Sequence, residues 1–194
     1  MPLEIEIKLQ IPTHIPILKI LRQLGAKHTG KHHETNIFFD RPDRSLRAKS
    51  SGLRVRLEFP VTSNRKSKIR NRKYSAALLT FKGPPQKTGL HSRNAYDLSI
   101  IPADQLIPLL NALGFHQTHL FEKIRDSWEL HHCRVELDTL PHFGYFLEIE
   151  GPSQKSVRSV QKMLRLDSLQ SVKPSYAKMV ADHLQHFRKK ELRF

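Results

Sequence analysis

The stretch LEIEIKL at residues 3–9 alternates apolar and charged side chains without interruption. A period of two is typical of a β-strand, because successive side chains of a strand point to opposite faces. The strand would carry only apolar residues on one face, while Glu4, Glu6 and Lys8 share the other. An ordinary sheet turns such a polar face to water. One strand of this kind therefore does not indicate whether its charged face is exposed to solvent or lines an interior.

The same alternation recurs along the chain and makes that ordinary interpretation harder to accept. It is found at residues 53–58 (LRVRLE), 79–82, 123–128, 134–138 and 147–150. The polar faces carry charges rather than Ser, Thr or Gln. Some strands present mainly cations and others mainly anions, which is typical of a surface that binds something charged.

Helical periodicity appears in four segments: Pro16–Leu24, Pro102–Leu113, Ser153–Leu166 and Ser175–Phe187. The first two segments each end at a glycine, Gly25 or Gly114, as helices often do. Each follows a strand and a proline-containing turn and precedes further strands. The repeated arrangement indicates two related halves, although so few matched positions also arise by chance.

These amphipathic helices are available to cover the apolar faces of the strands. We therefore predict an α+β fold in which an eight-stranded antiparallel β-barrel has its helices packed outside and its charged faces inside. Unpaired charges are costly in a dry core. The interior of such a barrel would need water, ions or a charged ligand.

The chain has 33 Lys and Arg against 18 Asp and Glu, a formal charge of +15. That bias favours an anionic partner: nucleic acid, a membrane surface or phosphate. One cysteine, Cys133, excludes an intrachain disulfide, and no apolar run reaches the roughly 18 residues of a membrane span. The N-terminus has acidic residues where a secretory signal is basic and then apolar. We expect a cytoplasmic protein that does not bind membranes.

The length of 194 residues suits a single domain spanning 1–194. Within it, the segment at about 60–77 is rich in Arg and Lys and poor in apolar residues. We interpret this segment as an exposed, mobile loop. Its cations at 65–73 offer a contact to nucleic acid, although a merely solvated loop is the simpler interpretation and a single aromatic, Tyr74, offers little for base stacking.

Carboxylates are the second feature of the charged faces. Two acids on one strand face repel each other unless a cation lies between them. Oxygen ligands suit Mg²⁺ or Mn²⁺ rather than a structural zinc. The candidate metal ligands are Glu4, Glu6, Glu136, Asp138, Glu148 and Glu150.

The cations of the other strands would bind phosphate oxygens. These candidates are Arg54, Arg56, Lys82, Lys123 and Arg125. A metal ion beside a set of phosphate-binding cations is the arrangement that phosphoryl or nucleotidyl transfer requires.

An ordered set of motifs resembles the CYTH superfamily, also called triphosphate tunnel metalloenzymes. The N-terminal Glu-x-Glu-x-Lys is the hallmark of that family and is formed here by Glu4, Glu6 and Lys8. It is followed by NIFFD at 36–40, GLRVR at 52–56, LTFKGP at 79–84, EKIR at 122–125, VELD at 135–138, FGYFLEIEGP at 143–152 and SY at 175–176. The resemblance runs over nearly the whole chain.

The resemblance implies the eight-stranded tunnel and an enzyme that acts on a triphosphate with Mg²⁺ or Mn²⁺. It implies catalytic roles for Lys8, Lys82 and Arg125, and substrate binding by Arg54, Arg56, Arg93 and Lys123. The pattern is most similar to bacterial class IV adenylate cyclases, which convert ATP to cyclic AMP and pyrophosphate. Close relatives hydrolyse inorganic, thiamine or nucleoside triphosphates instead, and the protein would be a monomer or a homodimer.

One strand departs from the family pattern. Where the family has Arg-x-Glu-x-Glu, this chain has Arg93, Ala95 and Asp97. The lost acid affects the charge of one tunnel wall and keeps a rival hypothesis open, a non-catalytic module that binds polyphosphate or nucleic acid. The six candidate carboxylates argue against that rival, because an anion binder gains nothing from them.

Two histidine pairs invite a transition-metal interpretation, His32-His33 and His131-His132. Neighbours in a strand point to opposite faces, so neither pair is a ready chelate, and we expect solvated or packing roles. Cys133 lacks a matched histidine for nucleophilic catalysis and is expected to be structural.

Overall fold

The computed structural model describes residues 3–61, 74–85, 91–100 and 103–194, with only the backbone of residues 3, 4, 91 and 92. None of the helices in this part of the chain has both the length and the apolar character needed to cross a membrane. The elements are β1 Leu3–Ile11, α1 Ile15–Gln23, β2 Lys27–Asp40, α2 Ser45–Ala48, β3 Gly52–Pro60, β4 Ala76–Pro85, β5 His91–Ser99, α3 Leu106–Ala112, β6 His116–Leu130, β7 Cys133–Leu140, β8 Gly144–Gly151, α4 Gln154–Met163, α5 Tyr176–His186 and β9 Glu191–Leu192.

Eight strands close into a barrel. Their order is β2-β3-β4-β5-β1-β8-β7-β6, and β6 pairs back onto β2. The closing pair is long, from Lys27 opposite Glu129 to Asp40 opposite His116, and all eight pairings are antiparallel. Short β9 adds in parallel beside β6. The predicted eight-stranded antiparallel barrel is confirmed, and closure gives every strand one face inside it.

The apolar faces of the strands lie outside, under helices. Ile17 and Leu21 of α1 and Val157 and Val160 of α4 pack in one buried cluster with residues of β1, β7 and β8, including Ile7. A second cluster joins Leu106 and Leu110 of α3 to Ile37, Phe39, Leu53 and Val55 of β2 and β3. Burial of these faces is the main favourable contribution to folding, and it forces the alternate, charged residues inward.

Helix α5 packs differently from the other helices. Its residues Tyr176, Val180 and Leu184 contact Phe121 and Phe146. Phe121 shares a strand face with Lys123 and Arg125, and Phe146 shares one with Glu148, so both point into the barrel. The last predicted helix therefore closes one end of the interior.

The four predicted helices all form, within a few residues of their predicted bounds. Gly25 and Gly114 follow α1 and α3 with φ of +69° and +82°, a conformation that glycine adopts at little cost at the end of a helix. After each glycine the chain enters a long strand, β2 or β6, and these two strands pair with each other. Of the predicted basic loop at 60–77, residues 62–73 lie outside the described chain.

Candidate active site

Strand register brings the predicted charges face to face. Glu6 lies opposite Glu150 and Lys8 opposite Glu148 across β1 and β8, and Glu148 lies opposite Glu136 across β8 and β7. Directly opposed residues of antiparallel strands have their Cβ atoms about 5 Å apart. Strand β1 is more than a hundred residues from β7 and β8 in sequence, so only the barrel brings Glu6 and Lys8 to this wall.

A group that we call the buried cluster lies in the middle of the barrel. It consists of the cations Arg56, Lys123 and Arg125 and the carboxylates Glu34, Asp138 and Glu148. Asp138 accepts hydrogen bonds from Arg125 at 2.6 and 2.7 Å and from Lys123 at 3.2 Å. Arg125 also donates to Glu148. Its guanidinium therefore links a carboxylate of β7 to a carboxylate of β8.

Glu34 is surrounded by cations from two other strands. Its Oε2 lies 3.3 Å from Arg56 Nε and 3.4 Å from Lys123 Nζ, and its Oε1 lies 3.9 Å from Arg125 Nε. Asn36 Nδ2 donates to the same carboxylate at 3.3 Å. Glu34 is 1% exposed, so these neighbours replace the water it has lost.

The electrostatics of the buried cluster favour the charged form of every acid in it. Burial alone would raise the pKa of Glu34, but Arg56, Lys123 and Arg125 outweigh it and hold that pKa at about 2. The same balance, with Arg125 as the chief cation, holds the pKa values of Asp138 and Glu148 below their usual range. Burial and then Arg125 lower the pKa of Lys123. The cluster is a network of paired charges at neutral pH.

Lys8 connects this network to a second group of cations. Its Nζ lies 3.8 Å from Glu148 Oε1, donates to the carbonyl oxygen of Pro174 at 2.9 Å and lies 4.2 Å from the centre of the Tyr176 ring. Lys8 is 3% exposed, and its ammonium group is held among a carboxylate, a carbonyl and an aromatic face.

A cavity of about 60 Å³ opens next to Lys8. Its lining, which we call the cavity cluster, is Glu6, Lys8, Lys82, Arg93, Lys173 and Ser175. Four cations thus border it with a single acid. Charge of one sign concentrated in a concave site attracts anions.

Lys173 reaches the cavity because its segment runs along the edge of β1. Strand β5 pairs with β1 from Leu3 to Glu6. Beyond that point the Val172 N–H donates to the Lys8 carbonyl oxygen at 2.8 Å, and Ser171 bridges to Leu9. The chain from Ser171 to Ser175 therefore forms part of the barrel wall at the cavity.

Arg54 lies on the wall formed by β3, β4 and β5. Its Nη2 donates to Thr80 Oγ1 at 3.0 Å, and Thr80 in turn donates to Asp97. Burial and the neighbouring Arg56 lower the pKa of Arg54 to about 9, so it remains charged at neutral pH. Its Nε is buried without a hydrogen-bond partner, which leaves a donor that an anionic ligand would satisfy.

The predicted metal ligands are mostly engaged by the protein itself. Glu136 accepts from Ser127, and Glu150 accepts from Arg134 at 2.6 Å. Within the described chain no three His, Cys, Asp or Glu side chains are grouped so as to hold a metal ion. Glu4 lies in β1 opposite Arg93 by its backbone, and its side chain is outside the description. A metal at Glu148 or Glu150 would have to compete with Arg125 or Arg134, and Glu6 borders the cavity.

Most of the predicted site residues meet, but in two groups rather than one. The buried cluster holds Arg56, Lys123, Arg125, Asp138 and Glu148, and the cavity cluster holds Glu6, Lys8, Lys82 and Arg93. Sequence reasoning missed Glu34 and Lys173. Glu34 alternates with His32 and Asn36 on β2, and that alternation was an available signal. Lys173 sits in a loop, where no periodicity points to it.

The large positive charge of the chain does not come from this interior. Among the described residues, nine cations of this interior stand against eight carboxylates: Lys8, Arg54, Arg56, Lys82, Arg93, Lys123, Arg125, Arg134 and Lys173 against Glu6, Glu34, Glu58, Asp97, Glu136, Asp138, Glu148 and Glu150. The formal charge of +15 therefore belongs almost entirely to the remainder of the chain. Net charge by itself is not evidence for a phosphate-binding interior.

The histidines set aside in the sequence have no catalytic surroundings. His131 and His132 form the exposed turn between β6 and β7. His33 is buried on the outer face of the barrel, with Nε2 3.4 Å from Glu122 Oε2. Burial raises the pKa of the Cys133 thiol, which makes it a poor nucleophile.

A closed antiparallel barrel with a charged interior and helices packed outside is the architecture that the described residues define. The sequence profile of the CYTH domain matches residues 2–176. The chain belongs to the CYTH domain family.

Individual relatives are distant in sequence but similar in extent. A protein of Methanocaldococcus jannaschii named "putative adenylate cyclase" is 25% identical over 148 residues, 76% of each chain. The X-ray structure of a "putative adenylate cyclase" from Vibrio parahaemolyticus has a TM-score of 0.72 at 20% identity and covers 92% of this chain and 97% of its own. A structure from Hippeastrum, described as a "putative adenylyl cyclase" with a dominant triphosphatase activity, has a TM-score of 0.65 at 17% identity and covers 97% of both chains. These structures share the fold.

Proposed function

We propose that the protein is a metal-dependent enzyme that acts on the triphosphate group of a small molecule bound in the barrel. The observation that carries the proposal is the cavity bordered by Lys8, Lys82, Arg93 and Lys173. Four cations around one small cavity suit a chain of phosphates, because each phosphate brings negative charge and several acceptor oxygens. Membership of the CYTH family agrees with this proposal.

The cations would stabilise charge as it builds up on the transferred or leaving phosphate. Preorganised positive groups are the main source of catalysis in phosphoryl transfer. Lys8 is the best oriented of them, because Glu148, Pro174 and Tyr176 hold its ammonium group at the cavity. Arg125, for which the family resemblance implies a catalytic role, is engaged by Asp138 and Glu148. Its role would be to support that wall.

Mg²⁺ or Mn²⁺ would suit the oxygen ligands that Glu6, which borders the cavity, and Glu150 would supply. Glu6 and Glu150 are directly opposed on β1 and β8, and a divalent cation between them would relieve their repulsion in place of Arg134, which donates to Glu150. We assign the metal to Glu6 and Glu150, and the family resemblance adds Glu4 as a ligand. When bound, the ion would neutralise phosphate charge and activate the attacking group.

Hydrolysis of the triphosphate is the reaction that the lining favours. Every described residue that borders the cavity is charged or polar, and none of these six offers an apolar or aromatic surface for a base. Adenylate cyclase activity is the second candidate, favoured by the name of the Methanocaldococcus relative and by the motif pattern. Tripolyphosphate, thiamine triphosphate and ATP are the substrates to compare.

Product analysis tests the proposal directly. Purified protein is incubated with ATP, thiamine triphosphate and tripolyphosphate, with and without Mg²⁺ or Mn²⁺. We expect orthophosphate, formed only with metal, and its loss in Lys82→Ala but not in Lys49→Ala, which removes an exposed cation. Cyclic AMP with pyrophosphate would establish the cyclase instead. No turnover together with tight polyphosphate binding would establish the non-catalytic module.

A further inference from the structure

We infer that the outer surface over α1 and α4 binds double-stranded nucleic acid through its sugar-phosphate backbone, without reading its sequence. This surface lies outside the barrel and is separate from the cavity that is proposed to bind a triphosphate. The inference therefore goes beyond the proposed function and does not depend on it. The surface, which we call the basic face, carries six exposed cations: Lys19, Arg22, Lys155, Arg158, Lys162 and Arg165.

The charge of the basic face has one sign. Residues 12–31, which contain α1, include four cations and no Asp or Glu, and residues 152–166, which contain α4, include another four with no Asp or Glu. Two of these eight, Lys27 and Lys31, lie 3.6 and 3.5 Å from carboxylates of β6. The six cations of the basic face form no salt bridge with any other residue that the structure describes. A concentration of unpaired cations attracts polyanions.

Helix α4 places its cations in a line. Lys155, Arg158 and Lys162 follow one another at intervals of three and four positions, so they fall within roughly 60° of arc on one side of the helix and span about 10 Å along it. The opposite side carries Val157 and Val160, which are 0% exposed. Packing of that side on the barrel fixes the direction in which the cations project, so they are preorganised for an extended anion.

The fold does not require these cations. Helix α3 occupies the place of α1 in the other half of the chain, since each is followed by a glycine and then by a long strand, β2 or β6. Counted back from that glycine, Lys19 and Arg22 correspond to the exposed Pro108 and Asn111. Helix α3 contains no charged residue. The cations of α1 are therefore a property of the basic face rather than of the helix position, which favours a binding role.

The chemistry of the basic face distinguishes a duplex from a membrane. A helix that binds a membrane surface inserts an apolar face, but the apolar residues Val157, Val160 and Leu164 of α4 are 0% exposed. Helix α1 exposes one large apolar side chain, Ile15, which is too little for insertion. The cations are thus available to the phosphates of a duplex, which carries one negative charge per roughly 1.7 Å of its axis.

A duplex also suits the basic face better than a single strand does. Proteins that bind single strands combine cations with aromatic side chains on which the bases stack. Neither α1 nor α4 contains an aromatic residue. Contacts to phosphate alone carry no sequence information, so we expect binding of DNA or RNA duplexes irrespective of sequence.

The experiment neutralises two cations of α4 together, as Lys155→Gln with Lys162→Gln. Both side chains are exposed and neither is engaged by another described residue, so the melting temperature should not change. Fluorescence anisotropy measures the affinity for a labelled duplex of about 20 base pairs over a range of KCl concentrations. Loss of two phosphate contacts should make the slope of log affinity against log salt shallower by about 1.8, and should lower affinity at about 100 mM salt tenfold or more.

Two further variants control for charge. Lys49→Gln with Lys189→Gln removes the same charge from exposed positions outside the basic face, and we expect it to change the affinity less than about twofold. Lys155→Arg with Lys162→Arg keeps the charge and should bind as the natural protein does. An equal loss of affinity in the two Gln variants would overturn the inference, because the effect would then be one of net charge.

The same measurements distinguish the other possible partners. A natural protein that does not bind the duplex overturns the inference, and binding to vesicles of anionic phospholipid instead would identify the basic face as a membrane surface. Tighter binding of a single strand than of the duplex would also overturn it. Turnover of tripolyphosphate should be the same in Lys155→Gln, Lys162→Gln and the natural protein, so failure of the proposed function and failure of this inference are separate results.

Discussion

The buried cluster and the cavity cluster contain the same kinds of residue but differ in their balance of cations and carboxylates. In the buried cluster Arg56, Lys123 and Arg125 face Glu34, Asp138 and Glu148 at 2.5–3.9 Å. In the cavity cluster four cations border a space with one acid. The first arrangement pairs its charges within the protein, and the second places an excess of cations beside a space.

Substitution of Asp138 is expected to have the largest effect on the buried cluster. Replacing it by Asn leaves Arg125 and Lys123 without their best partner in a site that is 0% exposed. Losing one partner of a buried ion pair costs about 3–5 kcal/mol, which for a chain of this size lowers the melting temperature by roughly 6–20 °C. Thermal unfolding followed by circular dichroism measures this change in melting temperature.

Glu129→Gln is the control for that substitution. Glu129 pairs with Lys27 at 3.6 Å, and both side chains are more than half exposed. Such a pair contributes little, so we expect a change of less than about 2 °C. Equal shifts in the two variants would mean that the buried cluster does not stabilise the fold.

Acid should weaken the buried cluster through Glu34. Its pKa is about 2 in the folded protein against 4.5 for the ordinary side chain. Because the folded pKa is depressed, this contribution to stability is complete above about pH 4.5 and is lost as the pH falls towards 2. Its size is about 3 kcal/mol.

Denaturant titrations between pH 7 and pH 3 measure this contribution. Glu34→Gln should unfold more easily than the natural protein at pH 7, and the difference should shrink as the pH falls below 4.5. A difference that stays constant with pH would contradict the assignment of the charge to Glu34.

Lys82→Ala tests whether the cavity cluster contributes to ligand binding. We expect tripolyphosphate affinity to fall about tenfold or more, the effect of losing one charge-assisted contact, and the melting temperature of the free protein to fall less than in Lys123→Ala, because Lys123 is 2% exposed and lies between Glu34 and Asp138. Lys123→Ala should do the reverse and lower the melting temperature more than the affinity. Calorimetry measures the affinity and thermal unfolding the melting temperature of both variants. Similar changes in both quantities for the two lysines would contradict the distinction between the clusters.

The smallest effect is expected at Ala95, where this chain departs from the family pattern. Ala95 lies opposite Lys82 across β5 and β4. Ala95→Glu would place a carboxylate beside that lysine and should weaken metal-free tripolyphosphate binding about threefold, in the range of a partly exposed ion pair. Ala95→Gln controls for size, and no difference between the two variants would show that Lys82 does not sense that position.

Much of the fold was predictable from local patterns. The alternation in LEIEIKL and LRVRLE, the glycines that end α1 and α3, and the amphipathic helices each reflect a short stretch of chain, and each was confirmed. The short α2 and β9 were missed. Helix α2 spans only Ser45–Ala48, and β9 spans two residues that depend on β6 for their pairing, so neither has a periodicity of its own.

The candidate site was predictable as a set of residues but not as an arrangement. The inward faces of β1, β3, β6, β7 and β8 could be identified from alternation alone. The partners on those faces could not, because Lys123 meets Glu34 and Asp138 only through the β2–β6 and β6–β7 pairings. Lys173 joins the cavity cluster only because the loop that carries it runs along the edge of β1.

By itself, then, the sequence determined four of the helices and six of the strands, and that one face of these strands is charged, because these properties depend on neighbours one to four positions away. Only the tertiary structure decided that Arg125 is held between Asp138 and Glu148 while Lys82 and Lys173 border a cavity. Pairing between charges depends on strand order, register and closure. Two charges that are a hundred residues apart in sequence interact according to their distance in the folded protein. Patterns over a few neighbouring residues do not indicate that distance.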